Sequence, residues 1–409
     1  MSSQPGSSLG PGGAEGTAGL NRTTSTDPRN PTNPTRRPIM RSVLATGLVL
    51  VLFLLTAAAL ASVFKAELGL RAALVGAAAA ALPLAVVVPT YLWLDRFEAE
   101  PLRLKAFAFG WGALVAPLVA LVLNSTSLSV LRDIGVDHAA SVEAVYLAPV
   151  VEESVKGLAI LLILWFQRRE LDGVVDGLVY AGLAGAGFAF TENILYLGQG
   201  LASGGAGELT SVLVLRGVLG PFAHPLFTSC IGVGVGLAAL RRSAVARTFL
   251  VVLGWVVAVF LHGMWNLAAT SGLQGYLVVY LLVQVPLFLG YLAFLRWVQA
   301  REGRLIGAHL LPYADSGWLT REEVRMLSSM PLRRSARAWA KSAGGPRGLR
   351  AMRTYQDSAS ELALLRARML RVGADPEAQQ AQELLLRAIA VSRGVLFPPT
   401  APVAARPGA

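Results

Sequence analysis

Apolar residues in this chain are gathered into runs of about 20, a length that crosses a hydrocarbon core of roughly 30 Å as a helix rising about 1.5 Å per residue. No other feature limits the fold as strongly. The runs fall at about 42–64, 72–94, 106–130, 143–166, 174–197, 211–240, 247–269 and 276–298. Lipid offers the backbone no hydrogen-bond partner, so each run must be helical. The expected architecture is all-α, a polytopic membrane helix bundle of about eight transmembrane helices. Composition agrees: 54% of residues are hydrophobic and only 15% charged, where a soluble domain carries about 25% charged. The sixth run is long enough to tilt or break near Pro221 and Pro225.

Charge alternates between the connecting segments. Arg96, Arg103 and Lys105 follow the second run, Arg168 and Arg169 the fourth, Arg241, Arg242 and Arg247 the sixth, and Arg296, Arg301 and Arg304 the eighth. The segments 198–210 and 270–275 have no basic residue, and the two others hold only Lys65, Arg71 and Arg132. The positive-inside rule then puts both termini in the cytoplasm. Three regions are expected: a disordered N-terminal tail at 1–41, a transmembrane domain at 42–300, and a basic cytoplasmic tail with amphipathic helices at 301–409. The first forty residues are rich in Ser, Thr, Gly, Pro and Asn and lack the apolar stretch of a cleavable signal peptide.

In the C-terminal tail, Thr320 with Glu323 spells a capping box, and Asp375-Pro376 an N-cap followed by proline at the first helical position. Segments 358–372 and 376–394 are expected to form a helical hairpin. Arginine clusters such as Arg333, Arg334 and Arg337 suit an anionic lipid surface, so the net charge of +11 points to the bilayer as partner and not to nucleic acid. The single cysteine, Cys230, excludes an intramolecular disulfide and reads as a small buried residue.

Four consecutive runs carry polar groups where they are expensive, at about 2.5–3.5 kcal/mol per charge. The fourth holds Glu152, Glu153 and Lys156, the fifth Glu192 and Asn193, the sixth His224, the seventh His262 and Asn266. Counted inward from the outer ends of their spans, Glu152 lies about 14 Å deep, Glu192 about 8 Å, His262 about 12 Å and His224 about 20 Å. All four therefore can meet in the outer half of the bilayer. Glu152 and Lys156 are four residues apart and stack on one face, as do His262 and Asn266, whereas Glu153 points about 100° away from Glu152. Adjacent Glu192 and Asn193 splay, so one of them is expected to reach the centre. Plainer roles compete: Glu152–Lys156 as a structural ion pair, His224 as a packing residue, Asn193 and Asn266 as helix glue, Arg216 snorkelling to the interface. His138 and His309 are read as incidental.

Hydrolysis of a peptide bond needs a base to activate water and donors for the oxyanion. A buried glutamate suits the first role; histidine and asparagine suit the second. A divalent metal such as zinc, held by His224, His262 and a glutamate such as Glu192, is a further option, although the His-Glu-x-x-His signature is absent. A proton-coupled transporter also uses intramembrane acids and histidines, but the paired broken helices of inverted repeats are missing. A non-catalytic scaffold or immunity protein is the third reading.

The segments Glu152-Glu153-Ser154-Val155-Lys156, Gly187 through Tyr196, Pro221-Phe222-Ala223-His224-Pro225 and His262-Gly263-Met264-Trp265-Asn266 resemble the PrsW family of intramembrane proteases, within a superfamily of prenyl-protein endopeptidases and bacteriocin-processing proteins. The resemblance spans roughly residues 80–300. It implies a multi-pass bacterial plasma-membrane peptidase, with a membrane-anchored protein such as an anti-sigma factor as substrate. It also implies that Glu152 and Glu153 are central and that Glu192, His224 and His262 complete the site, with Lys156 and Asn193 supporting. The second motif departs from the wider superfamily, placing Glu192 where relatives carry histidine, which weakens a three-histidine metal scheme.

Overall fold

The computed structural model describes residues 36–167, 171 and 173–397. Residues 1–51 and 52–409 form separate compact units, and all that follows from Leu52 onward concerns the second. The expected disordered tail, up to residue 35, lies outside the described residues, as do Arg168 and Arg169. No strand occurs among the described residues.

Helix α1 (Arg36–Leu94) is interrupted at Gly69, whose φ of 74° is a conformation that glycine adopts without steric cost. Next come α2 (Leu102–Gly110), a π-helical turn at 111–115, and α3 (Ala116–Asp133). Then follow α4 (Ala139–Val142), a second π turn at 143–147, and α5 (Ala148–Phe166). Helix α6 (Val174–Val212) is interrupted at Gly205 and runs into a π turn at 213–219. The chain breaks over Gly220 to Phe222 before α7 (Ala223–Ala239), so the proline-flanked break expected in the sixth run is present. Helices α8 (Ala244–Thr270), α9 (Gly272–Val279) and α10 (Val285–Asp315) complete the apolar part.

Among the described residues, five continuous stretches are long and apolar enough to cross a membrane: Leu44–Leu94, Leu102–Asp133, Val174–Ala239, Ala244–Thr270 and Gln274–Asp315. Eight runs become five for two reasons. The stretches of 51 and 66 residues each hold two of the runs, and α5 falls short in apolarity because Glu152, Glu153 and Lys156 share its 19 residues.

Helices α6 and α7 form the centre. Leu178, Val179, Tyr180, Ala181 and Ala184 of α6 and Val235 of α7 are fully buried, as expected of a helix apolar on every face. Their backbones touch: a Cβ added at Gly177 would meet the carbonyl oxygen of Gly232 at 2.1 Å, and one at Gly232 would meet that of Gly177 at 2.1 Å, the close approach that small residues permit. Helix α8 lies against them along one stripe, Gly254, Ala258, His262, Trp265 and Ala268, while Phe249, Val252, Val256 and Phe260 face outward. That spacing of three and four residues aims His262 inward.

The C-terminal part has its own apolar core. Helices α11 (Arg321–Leu327), α12 (Met330–Val372) and α13 (Pro376–Leu396) enclose Val324, Leu327, Met352, Tyr355, Leu362 and Ile389. Both sequence-read caps form: Thr320 Oγ1 accepts from the Glu323 N–H at 3.1 Å, and Asp375 Oδ1 from the Ala378 N–H at 2.7 Å. The hairpin of α12 and α13 turns at Gly373, φ 100°. Its first arm is longer than the sequence suggested, beginning at Met330 and kinked at Gly345. Helix α10 passes through residue 300 without interruption and carries Ile306 and Leu310 into this second core.

Candidate active site

Side chains from α3, α5, α6, α7, α8 and the π turn at 213–219 meet in one polar network inside the bundle. Lys156 is its hub. Fully buried, its Nζ donates to Glu153 Oε1 at 2.7 Å and to His224 Nδ1 at 3.1 Å, and lies 3.5 Å from Glu152 Oε2. Its charge also faces the Phe188 ring, 3.9 Å from the centroid, an attractive arrangement in a desolvated site.

Glu153 is completely satisfied. Its Oε1 accepts from His262 Nδ1 at 3.0 Å as well as from Lys156, and its Oε2 accepts from Thr228 Oγ1 at 2.9 Å. A carboxylate acceptor at Nδ1 fixes the proton of His262 there and leaves Nε2 as the basic nitrogen. That nitrogen faces Glu152 Oε2 at 3.8 Å. The His262 ring is held flat against Phe227, centroids 5.2 Å apart.

His224 receives Lys156 at Nδ1, so Nε2 carries its proton and donates to Glu192 Oε2 at 2.7 Å. Glu192 is also bound by Arg216 Nη2. Arg216 Nε donates to Asn193 Oδ1 at 2.7 Å, and its guanidinium lies over the Tyr196 ring at 4.1 Å. At the opposite end Asn124 Nδ2 donates to Glu152 Oε1 at 3.3 Å. Hydrogen bonds thus run from Arg216 through Glu192, His224, Lys156 and Glu153 to His262, and Glu152, held by Asn124, lies beside this chain at 3.5 Å from Lys156 Nζ and 3.8 Å from His262 Nε2. Arg216 and Glu192 form its accessible end, with side chains 20% and 18% exposed.

Several expectations need restating in these terms. The four depths estimated along the sequence do converge. Lys156, expected to stack on Glu152, sits closer to Glu153. Glu153, expected to point away from Glu152, still faces the same histidine, because His262 projects between them. Glu192 and Asn193 splay, yet both are gathered by Arg216. That arginine is the cation of the site's open end. Asn266 is not drawn into the network: its Nδ2 donates to the Ala144 carbonyl oxygen at 2.7 Å, tying α8 to the π turn before α5. Asn124 and Thr228 escaped the sequence reading. An amide within an apolar run was the available signal for the first; a threonine on a membrane helix gives none.

Three carboxyl groups, Glu152, Glu153 and Glu192, stand against two fixed cations, Lys156 and Arg216, which leaves one formal negative charge with the histidines neutral. Glu152 Oε2 is buried and has no hydrogen-bond partner. Ligand atoms of Glu152, His224 and His262 all lie within 4.8 Å of one another. By residue type this donor set suits a divalent ion: two imidazoles and one carboxylate make up a common catalytic zinc set, and the Glu153–His262 pair supplies the carboxylate behind a ligand imidazole; His224 would first have to give up Lys156 or Glu192, which between them occupy both its nitrogens. The glutamate grouped with both histidines is Glu152, whereas Glu192 is bound by Arg216 and His224.

Acid–base groups joined inside an apolar helical bundle are the groups that hydrolysis of a peptide bond within a membrane requires. The model of a family described as PrsW family intramembrane metalloprotease matches residues 100–291. The chain is 31% identical over 184 residues to Protease PrsW of Geobacillus kaustophilus, covering 44% of this chain and 74% of that one. It is 26% identical over 222 residues to Protease PrsW of Oceanobacillus iheyensis, covering 54% of this chain and 94% of that one. No solved structure matches it. The chain belongs to the PrsW family and is an intramembrane endopeptidase.

Proposed function

We propose that Glu152 is the general base of this peptidase. The observation that carries the reading is the difference among the three carboxyls. Both oxygens of Glu153 are saturated by Lys156, His262 and Thr228, and Glu192 is tied to Arg216 and His224. Glu152 alone keeps a buried oxygen with no donor, free to take a proton from water. Glu153 then orients His262, whose imidazole, with His224, stands beside the place where charge develops on the scissile carbonyl. Glu192 and Arg216 form the end at which a substrate segment enters, and Asn266 holds α8 in register.

The substrate on this reading is a membrane-anchored protein such as an anti-sigma factor, cut in the outer half of a bacterial plasma membrane that holds both termini on the cytoplasmic side. Support for the orientation is the basic bias of alternate connections. Comparing membrane proteomes from cells carrying the wild type or Glu152→Gln, matched for expression, tests the assignment. A membrane-anchored protein clipped only by the wild type is the expected result; full-rate clipping by the variant removes Glu152 from the mechanism.

The mutual approach of Glu152, His224 and His262 favours a second reading. In it these three hold a divalent ion such as zinc, which when bound polarises a carbonyl and acidifies a coordinated water. Chelation before assay separates the two: activity lost and restored by the metal supports the ion, and activity indifferent to chelation supports the glutamate base.

A further inference from the structure

We infer that the cavity between the membrane helices and α12 is a binding site for an anionic phospholipid. The cavity measures about 330 Å³. Packed protein interiors leave few voids larger than one water, and ligand sites begin at roughly this size. Its walls are apolar and come from four helices: Val175 of α6, Leu237 of α7, Phe294 and Val298 of α10, and Leu364 and Ala367 of α12. Such walls give water too few partners to fill it. An acyl chain suits them.

The polar end of the cavity identifies the head. Arg301 and Arg371 line it, and neither guanidinium has a carboxylate in ion-pair range among the described residues. Arg301 rests on the Trp297 ring, 5.4 Å from its centroid. Three acids share the lining, and each has a partner, although Glu302 Oε2 accepts no hydrogen bond. Asp176 accepts from the Gly173 N–H at 2.8 Å, and Glu98 and Glu302 have partners of their own. Two guanidinium forks beside an apolar chamber match a phosphate carrying a hydrocarbon tail. The height is right as well. Arg296, Trp297 and Arg301 end the apolar run of α10, the aromatic and basic pattern of a membrane–water interface, so a lipid of this leaflet reaches the site without leaving its own layer. Because α12 supplies Leu364, Ala367 and Arg371, the bound lipid would join the C-terminal helices to the membrane helices.

Native mass spectrometry of the full chain in detergent tests this, with phosphatidylglycerol or phosphatidylcholine of identical acyl chains as probes. One phosphatidylglycerol per chain is expected to survive conditions that strip phosphatidylcholine. Occupancy should fall about tenfold in the double variant Arg301→Gln, Arg371→Gln, which alters only exposed side-chain heads, and should also fall in Ala367→Phe, which narrows the chamber. Equal retention of the two lipids by the wild type overturns the proposal. So does unchanged retention in the arginine variant, whatever Ala367→Phe does.

Discussion

Two regions of this molecule bury charge, and they do it differently. In the candidate active site the charged groups bind one another: Lys156 to Glu153, His262 to Glu153, Arg216 to Glu192. Around Arg333, by contrast, the partners are mostly backbone. Arg333 is 1% exposed; its Nη1 donates to the Phe97 carbonyl oxygen at 3.1 Å and its Nη2 to the Gln356 carbonyl oxygen at 2.5 Å and to Ser360 Oγ at 3.0 Å. Asp95 nearby likewise accepts from the Glu100 N–H at 2.9 Å and pairs with Lys105. Carbonyls of the main chain cannot change protonation or turn away, so the Arg333 knot is a fastener between the 95–100 segment and α12. Side chains that bind only side chains can trade protons and partners.

That contrast can be broken by substitution. The largest effect is expected from Glu152→Gln: cleavage of a substrate found by membrane proteomics should fall by about 10²–10⁴-fold, the usual worth of a general base, with the melting temperature nearly unchanged. A large melting shift with residual cleavage would move Glu152 to the architectural side. Next comes Arg333→Met, which strands two backbone carbonyls and should cost about 3 kcal/mol. Limited proteolysis should then release fragments from residues 321–397, while chains still folded cleave at a rate within about threefold of wild type, as the backbone-anchored class requires.

Arg216→Gln should lower cleavage by roughly tenfold, and Arg216→Lys should recover only part of it, because an ammonium cannot hold Glu192 and Asn193 together as the guanidinium fork does. Full activity in both would show that the exposed end of the network is dispensable. A pH-dependent effect concerns Glu100, in the segment between α1 and α2. Burial first, then the charge of Asp176, pushes its pKa up to about 11, and Tyr180 donates to its Oε2 at 2.5 Å. A carboxyl raised in the folded state favours folding below its ordinary range and loses that contribution as pH climbs toward the folded value. The melting temperature should therefore fall between pH 6 and pH 9 in the wild type and fall less in Glu100→Gln, read by thermal melts at both pH values.

Much of this was legible in the sequence, for reasons that can be located. Glu152, Glu192, His224 and His262 stood out because charge in a 20-residue apolar run has no cheap explanation, and helical rise alone predicted that their depths overlap. Glu153 was harder. Its 100° offset from Glu152 is real, but α5 has neighbours on two sides, so Asn124 of α3 takes one carboxyl and Thr228 of α7 the other. Angular offset on one helix says nothing about how many partners surround it. Arg216 was read as snorkelling because that is the cheap outcome for an arginine near a span end, and only the fold shows its pairing with the Glu192 carboxylate. The breaks at Gly69 and Gly205 divide helices that the apolar pattern had already separated, whereas the burial of Arg333 was invisible, since an arginine in a basic segment looks like any other.

Helix α10 has a mechanical consequence. Its 31 residues make a rod of about 46 Å that passes from the bundle into the C-terminal core without a hinge until Pro312. Near one end Tyr291 is pinned, its hydroxyl bonded to Tyr91 at 2.5 Å and to Ser229 of α7 at 2.7 Å; near the other, Ile306 and Leu310 are fully buried in the second core. A rod fixed so acts as a lever with its fulcrum in the membrane, and a tilt of about 5° about Tyr291 displaces its far end by about 3 Å. Force applied to the C-terminal helices therefore arrives, along this one element, at Tyr291 and its bond to Ser229 of α7.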